Sequence, residues 1–499
     1  MNPSREWPTH QASPRVPSDS ASKREAEAAA FGRCTFIKLA SIGGTAAVLS
    51  PTGFGNATTR GPGLVTSLLA GGTASSIDAF VTGASKKYSG TTLNLLAFTN
   101  VQVSALQALT PDFTRLTGIK VNYTILTETD AASKAQITLS AHSPAFDIYD
   151  AENFFIPGYV RNGWFYEVRE LAAERHVTWP DFSLHPYSPT ALSLLSYTNK
   201  LVALPIFFAN QVVYYRRDIF ERHAVKIPAT IAELIDVCKE INNKPLPAIA
   251  LRANSGPVQN VFVWTTWLYD YGGTYFRTYN KATGKYSGPA LDSPQAVTAA
   301  ELYSDVLRHY APAGATAWGV NRVSRAMLAG EIAMSQEGEP FGSVWNDPKI
   351  SRVAGKLGAF PMPRGPGGRY ITTAAHGYAI SRYSKSVEAA WLYVQWATSP
   401  EIQLKAAIEQ PSSSPPIPAI IRNPQFRKKY NFPGFLDSVE ESLSFGASPV
   451  GPTYTPQLWN WDAVGEGISV QLSRIISGEV SAEKGLAEAN SILSKQAES

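Results

Sequence analysis

The stretch from Leu201 to Asp236, LVALPIFFANQVVYYRRDIFERHAVKIPATIAELID, constrains the fold more than any other part of the chain. A short apolar strand, Leu201 to Pro205, meets an aromatic pair and a polar pair (Phe207, Phe208, Asn210, Gln211). A β-rich run, Val212-Val213-Tyr214-Tyr215, then leaves in a new direction. That order reads as a strand crossing between two bodies. Beyond it, Pro228-Ala229-Thr230 followed by Glu233 spells a Thr-x-x-Glu capping box, and Ile231, Leu234, Ile235 and Cys238 make one apolar helical face.

Two bodies also suit the length, because 499 residues exceed one ordinary core. A net charge of +4 spread over that length gives no case for a nucleic-acid partner. Residues 1–90 are expected to form a disordered N-terminus, an export signal and a linker. The first 32 residues are polar, without a periodic apolar face. Arg33-Cys34-Thr35-Phe36-Ile37-Lys38, leading into the small-residue run Leu39 to Ser50, is similar to a twin-arginine export signal, with Cys34 in place of the second arginine. The run is too short and too rich in Gly, Ala and Ser to span a bilayer. With Cys34 removed, only Cys238 remains, and no disulfide is expected.

Ordered structure is expected from Thr92. Leu93 to Phe98, Ile119 to Tyr123 and Phe146 to Asp150 read as strands, the first two joined by a helix that stops at Gly118. Ala248 to Leu251 and Leu357 to Pro363 read as further strands, and Gly377 to Ser381 as another. Val261 to Tyr269 is a helix carrying Trp264 and Trp267, followed by a tight turn at Gly272-Gly273. Ser293-Pro294 caps another helix, and Gly478 separates two closing helices.

Several of these phrases together resemble the extracellular solute-binding proteins of bacterial ABC importers, family 1, the sugar-binding type. They are the tyrosine strand with Asp218-Ile219-Phe220, Phe113-x-x-x-Thr-Gly-Ile-Lys-Val, Met327-Leu-Ala-Gly-Glu-Ile-Ala-Met334, and the segment from Gly365 through Gln403. The resemblance spans about residues 92 to 499. It implies an α/β, two-lobe periplasmic-binding-protein-like fold of the type II style, with hinge crossings near residues 206–211, 336–342 and 405–412. Lobe 1 would take 91–207 and 340–407, and lobe 2 would take 208–339 and 408–499.

Catalytic and cofactor signatures are sparse. Seven histidines form no helical pair, Cys-x-x-Cys is absent, Gly365-Pro366-Gly367-Gly368 lacks the lysine of a phosphate loop, and no Gly-x-Ser-x-Gly occurs. No cofactor and no metal are expected. Acids at strand ends, Asp150 with Glu152 and Glu337 with Glu339, suit hydrogen bonds to sugar hydroxyls as well as glycosidase chemistry. A sugar needs flat aromatic walls with Asp, Glu, Asn or Gln at their edges. The expected ligand contacts are Asn100, Asp150 and Glu152 from one lobe, Phe208 and Asn210 from the crossing, Trp264, Gly272 and Gly273 from the other lobe, and Glu337, His376 and Tyr378 from the returning segments.

The resemblance implies a non-catalytic, monomeric, exported binding protein at the periplasm or outer face of the cell membrane. It would deliver a sugar or oligosaccharide to the transmembrane permease. The alternatives are a binder of a polyamine, a glycerol phosphodiester or a peptide, and a carbohydrate-active hydrolase.

Overall fold

The computed structural model describes residues 76–242, 246–256, 258–442 and 444–497. The expected disordered N-terminus, the export signal and Cys34 lie outside these residues. Order begins earlier than Thr92. Ser76–Ala84 is a helix whose Ile77 and Val81, four residues apart, are fully buried, and the Trp396 indole donates to its Asp78 at 2.8 Å. Glycine, serine and alanine around those two apolar residues hide the pattern in the sequence.

Eleven strands occur in the described residues: β1 (Thr92–Phe98), β2 (Lys120–Leu126), β3 (Ile148–Glu152), β4 (Ser196–Tyr197), β5 (Lys200–Leu201), β6 (Leu204–Arg216), β7 (Phe276–Asn280), β8 (Lys285–Pro289), β9 (Met334–Gly338), β10 (Leu357–Pro361) and β11 (Thr373–Ile380). The pairs β4–β5 and β7–β8 are separate two-stranded sheets, and the other seven strands form one sheet. In it β1 pairs in parallel with β2 and β3, and β11 runs antiparallel to β3.

Leu201 falls in β5, while the end of the expected apolar strand, Leu204-Pro205, and the tyrosine run are one 13-residue strand, β6, on which the sheet turns. Its first half, Leu204 to Asn210, pairs with β11. Its second half, Gln211 to Arg216, is flanked by β9 and β10. Gln211, at the changeover, is bonded on all sides. The Gln211 amide donates to the Phe262 carbonyl at 3.0 Å and accepts from Thr266 at 3.0 Å and from the Gln336 amide at 2.6 Å; Gln336 in turn accepts from the Trp267 indole at 2.9 Å. This network makes a buried amide tolerable in a strand interior.

β10 pairs with the second half of β6, and β11, from Thr373, with the first half. One expectation changes. Ala248 to Leu251 is not a strand. The Ala248 and Ile249 amides donate to the Tyr310 carbonyl at a helix end, leaving only an isolated bridge from Ile249 to Met334.

The local signals hold. The Thr230 hydroxyl accepts from the Glu233 amide at 3.2 Å, and the Glu233 carboxylate accepts from the Ala229 amide at 2.7 Å, opening the helix Ile231–Ile241. Ser293 caps Pro294–His309, and Gly478, at φ 80°, ends Trp461–Ser477 before Ala482–Ala497.

Candidate functional site

β3 and β11 lie side by side, with Glu152 opposite His376 and Asp150 opposite Tyr378. Asp150, buried in the middle of β3, accepts from the Phe98 amide at 3.3 Å, the Asn100 side-chain amide at 3.4 Å and His376 Nδ1 at 3.1 Å. Asn100 is held in turn because its Oδ1 caps the helix Val101–Thr117, accepting from the Val103 amide at 2.8 Å. The other imidazole nitrogen, Nε2, lies 3.8 Å from Glu152 Oε1. Phe98 and Phe207 contact the imidazole in edge-to-face geometry, at centroid distances of 5.4 and 5.0 Å. Burial alone would lower the imidazolium pKa, but Asp150, with Glu152 and Glu128 behind it, outweighs that and holds His376 at about 9.

Glu152 is 3% exposed, and its Oε2 has no hydrogen-bond partner. Burial, then the neighbouring charges of Glu128 and Asp150, push its carboxyl well above the usual range, against the pull of His376 and Arg252. Glu128 opens the helix Glu128–Ser140 just past the end of β2 and is half-buried. Burial raises its pKa too, opposed by Arg252 and His376.

Facing this group stands an ion pair on the second half of the sheet. Glu337 on β9 is fully buried and takes Arg252 in a two-pronged contact, Nε to Oε1 at 2.8 Å and Nη2 to Oε2 at 2.6 Å. The third guanidinium nitrogen donates to the Val258 carbonyl at 2.6 Å, and the plane lies 4.8 Å from the Phe262 ring. Tyr454 spans the two sides. Its ring meets Phe154 and Phe262 edge-on at 5.4 and 5.9 Å, its carbonyl accepts from Tyr269, and its hydroxyl, buried, has no partner. Beside Phe154 lies a cavity of about 70 Å³ with Tyr159, Trp164, Trp459 and Trp461 in its walls and Asn162 and Asp462 at its edges.

Of the residues expected from the sequence, Asn100, Asp150, Glu152 and His376 are brought together, and Glu337 stands opposite them. Asn210 lies at the changeover of β6 opposite Thr373; its carbonyl accepts from the Glu339 amide, and its side-chain nitrogen is buried without a partner. The remaining five sit in packing. Phe208 is opposite Ala375, and the neighbouring Phe207 takes the place against the imidazole. Trp264 is buried edge-on to Tyr275, and Tyr378 is stacked near Tyr393. The Gly272-Gly273 turn receives the glycine loop: a methyl group on Gly367 would meet the Gly272 nitrogen at 2.2 Å, and one on Gly273 would meet Ala296 at 3.1 Å.

Glu128, Arg252, Phe98, Phe207 and Tyr454 were not anticipated. The rule that ligands gather at carboxyl ends of strands points to Glu128, which follows β2. Phe98, the last residue of β1, answers to the same rule. Nothing local marks Tyr454.

The sequence profile of the bacterial extracellular solute-binding proteins matches residues 99–404. A probable amino-acid ABC transporter periplasmic-binding protein of Sinorhizobium fredii is 26% identical over 328 residues, 64% of this chain and 71% of the relative. An erythritol/L-threitol-binding protein of Mycolicibacterium smegmatis is 24% identical over 417 residues, 80% of this chain and 84% of the relative. Among solved structures, an ABC transporter solute-binding protein from Agrobacterium vitis with bound D-mannitol superposes with a TM-score of 0.71 at 23% identity, covering 81% of this chain and 97% of that one. The likeness is of fold, the mixed α/β architecture of two lobes joined by crossing strands. With the profile spanning well over half of its length, this chain belongs to the bacterial extracellular solute-binding protein family.

Proposed function

We propose that this protein captures a polyhydroxylated solute, a sugar or sugar alcohol, between its lobes and delivers it unchanged to a membrane permease. The observation that carries the reading is the set of buried polar groups facing one another across β6. Asp150, Glu152 and His376 stand on one side and Arg252 with Glu337 on the other, with the Glu152 Oε2 and the Tyr454 hydroxyl left without partners. Hydroxyls both donate and accept, so a polyol satisfies carboxyl and phenol groups that the protein leaves open. The aromatic cavity beside Phe154 offers flat walls for the apolar C–H faces of a longer sugar. The ligands named for the M. smegmatis relative and for the A. vitis structure belong to the same chemical class.

The first lobe is assigned β1, β2, β3, β11 and the first half of β6, and the second the other half of β6 with β9 and β10. The chain passes between them within β6, between residues 362 and 372, and near Ser412 to Ser414, where the Phe208 amide donates to the Ser414 carbonyl. A ligand touching both lobes favours the closed arrangement by its differential contacts, with rotation at these crossings. No described helix is long and apolar enough to cross a membrane, in keeping with a protein that reaches its permease from outside.

A thermal-shift screen against aldoses, oligosaccharides and sugar alcohols tests the reading, with NMR of the recovered ligand. At ligand concentrations about a hundredfold above Kd, stabilisation of about 2.7 kcal/mol and an unaltered ligand are expected. Response only to polyamines or phosphodiesters, or release of a cleaved product, refutes it.

A further inference from the structure

The helix Ile156–Asn162 carries a glycine at its third residue, Gly158, in helical backbone where alanine is the better helix former. Glycine belongs in such a place when another backbone comes close. Here that neighbour is Trp459: a methyl group on Gly158 would meet the Trp459 carbonyl oxygen at 2.6 Å. About one turn on, the Arg161 guanidinium lies over the Trp459 ring, 4.1 Å from its centroid. The two partners are anchored in different parts of the sheet. The helix follows β3, and its Tyr159 meets Phe165 edge-on at 5.1 Å, where Phe165 bridges to Ser381 just past β11. On the other side, Trp461 meets Tyr275 edge-on at 5.4 Å, the Gln457 amide donates to the Tyr286 hydroxyl at 3.4 Å, and the Tyr454 carbonyl accepts from Tyr269. Tyr269 belongs to the helix Asn260–Asp270, whose Phe262 carbonyl accepts from Gln211 at the start of the second half of β6. The Gln457 side-chain amide, donating to the Ser196 carbonyl of β4 at 3.4 Å, spans the same seam. Arg161 and Trp459 are both exposed, so their stack lies at the outer edge of that seam.

Resting on the two-lobe capture reading above, we infer that Gly158, Arg161 and Trp459 form a catch that makes contact only as the lobes close. The catch sets the affinity and residence time of the solute from outside the group of Asp150, Glu152 and His376. Rotation at the crossings parts the helix from Trp459, since each is fixed to its own lobe. The open form leaves the Gly158 face clear, and the closed form gains the attraction between guanidinium and ring together with the close backbone fit. Contacts made in only one of two states shift the balance between them. A solute held in the closed form is therefore held longer, whatever the pattern of its hydroxyls. Encounter takes place in the open form, so the on-rate does not depend on the catch.

Gly158→Ala and Arg161→Ala test the catch, with Arg382→Ala as control, because Arg382 stacks on Tyr166 at 4.6 Å within the first lobe. D-mannitol, erythritol, D-glucose and maltose serve as probes in isothermal titration and stopped-flow binding, and melting is recorded without solute. Arg161→Ala is expected to weaken every probe that binds the parent by about two- to fivefold, the size of an exposed cation–π contact. Gly158→Ala is expected to weaken them by about tenfold or more, because its methyl keeps the lobes from seating. Without solute the same variant should melt at or above the parent's temperature, since alanine favours the helix. Both losses should appear in koff with kon unchanged, and Arg382→Ala should bind like the parent. Parent-like affinity in both variants overturns the inference and leaves capture intact. So does a Gly158→Ala protein that is destabilised without solute, which marks the contact as permanent packing. Failure of the parent to bind any probe overturns both readings.

Discussion

Replacing Arg252 by methionine keeps most of the side-chain length and removes the charge, leaving the Glu337 carboxylate stranded. That carboxylate side chain is 0% exposed, and without Arg252 its one recorded donor is the Gly338 amide at 3.3 Å. Breaking a buried pair from one side costs about 3–5 kcal/mol, because an uncompensated charge stays out of water. Removing both members in Arg252→Met/Glu337→Leu should recover most of that loss, because the desolvation penalty disappears with the charge. An exposed pair of the same protein, Arg382 with Glu170 at 2.6 Å and 39% and 48% exposed, serves as control, and Arg382→Ala should cost about 0–1 kcal/mol. Urea denaturation followed by tryptophan fluorescence gives all three values. An Arg252→Met loss no larger than the Arg382→Ala loss, or a double variant as unstable as the single one, refutes the reasoning.

The His376 imidazolium is held at about 9, so its contribution is fully present below the ordinary value of 6.5 and is lost as pH rises through 9. His376→Gln should therefore be less stable than the parent by about 3 kcal/mol near pH 6, and the gap should close by about pH 10 in paired denaturation curves. Asp270 carries the same sign for a different reason. Burial pushes its carboxyl from 3.8 up to about 8, against the Tyr370 amide that donates to it at 2.6 Å, so stability present below about pH 4 drains away up to pH 8. Asp270→Asn keeps that acceptor and should flatten the slope, leaving the variant the more stable protein at pH 8.5 by a few kcal/mol on the order of the shift. Gly367→Ala would drive a methyl into the Gly272 backbone at 2.2 Å and should cost about 1–3 kcal/mol in melting experiments, whereas Gly83→Ala, with nothing within 4 Å, should be neutral or slightly stabilising.

What the sequence determined by itself is what neighbours along the chain decide. The thread of β6, the capping box at Thr230, the Ser293 cap and the Gly478 stop are all written within a few residues, because caps and strand periodicity act over one turn or one pleat. Acids placed at strand ends were legible for the same reason, and Asp150, Glu152 and His376 do converge. Only the tertiary structure decided which acid meets which base. His376 reaches Asp150 across 226 residues of sequence, and Arg252 reaches Glu337 across 85. It also decided that Phe207, not Phe208, meets the imidazole, which follows from the register of β6 against β11. Charge interactions depend on distance in space and on the water excluded between the groups, and neither quantity is carried by residue order.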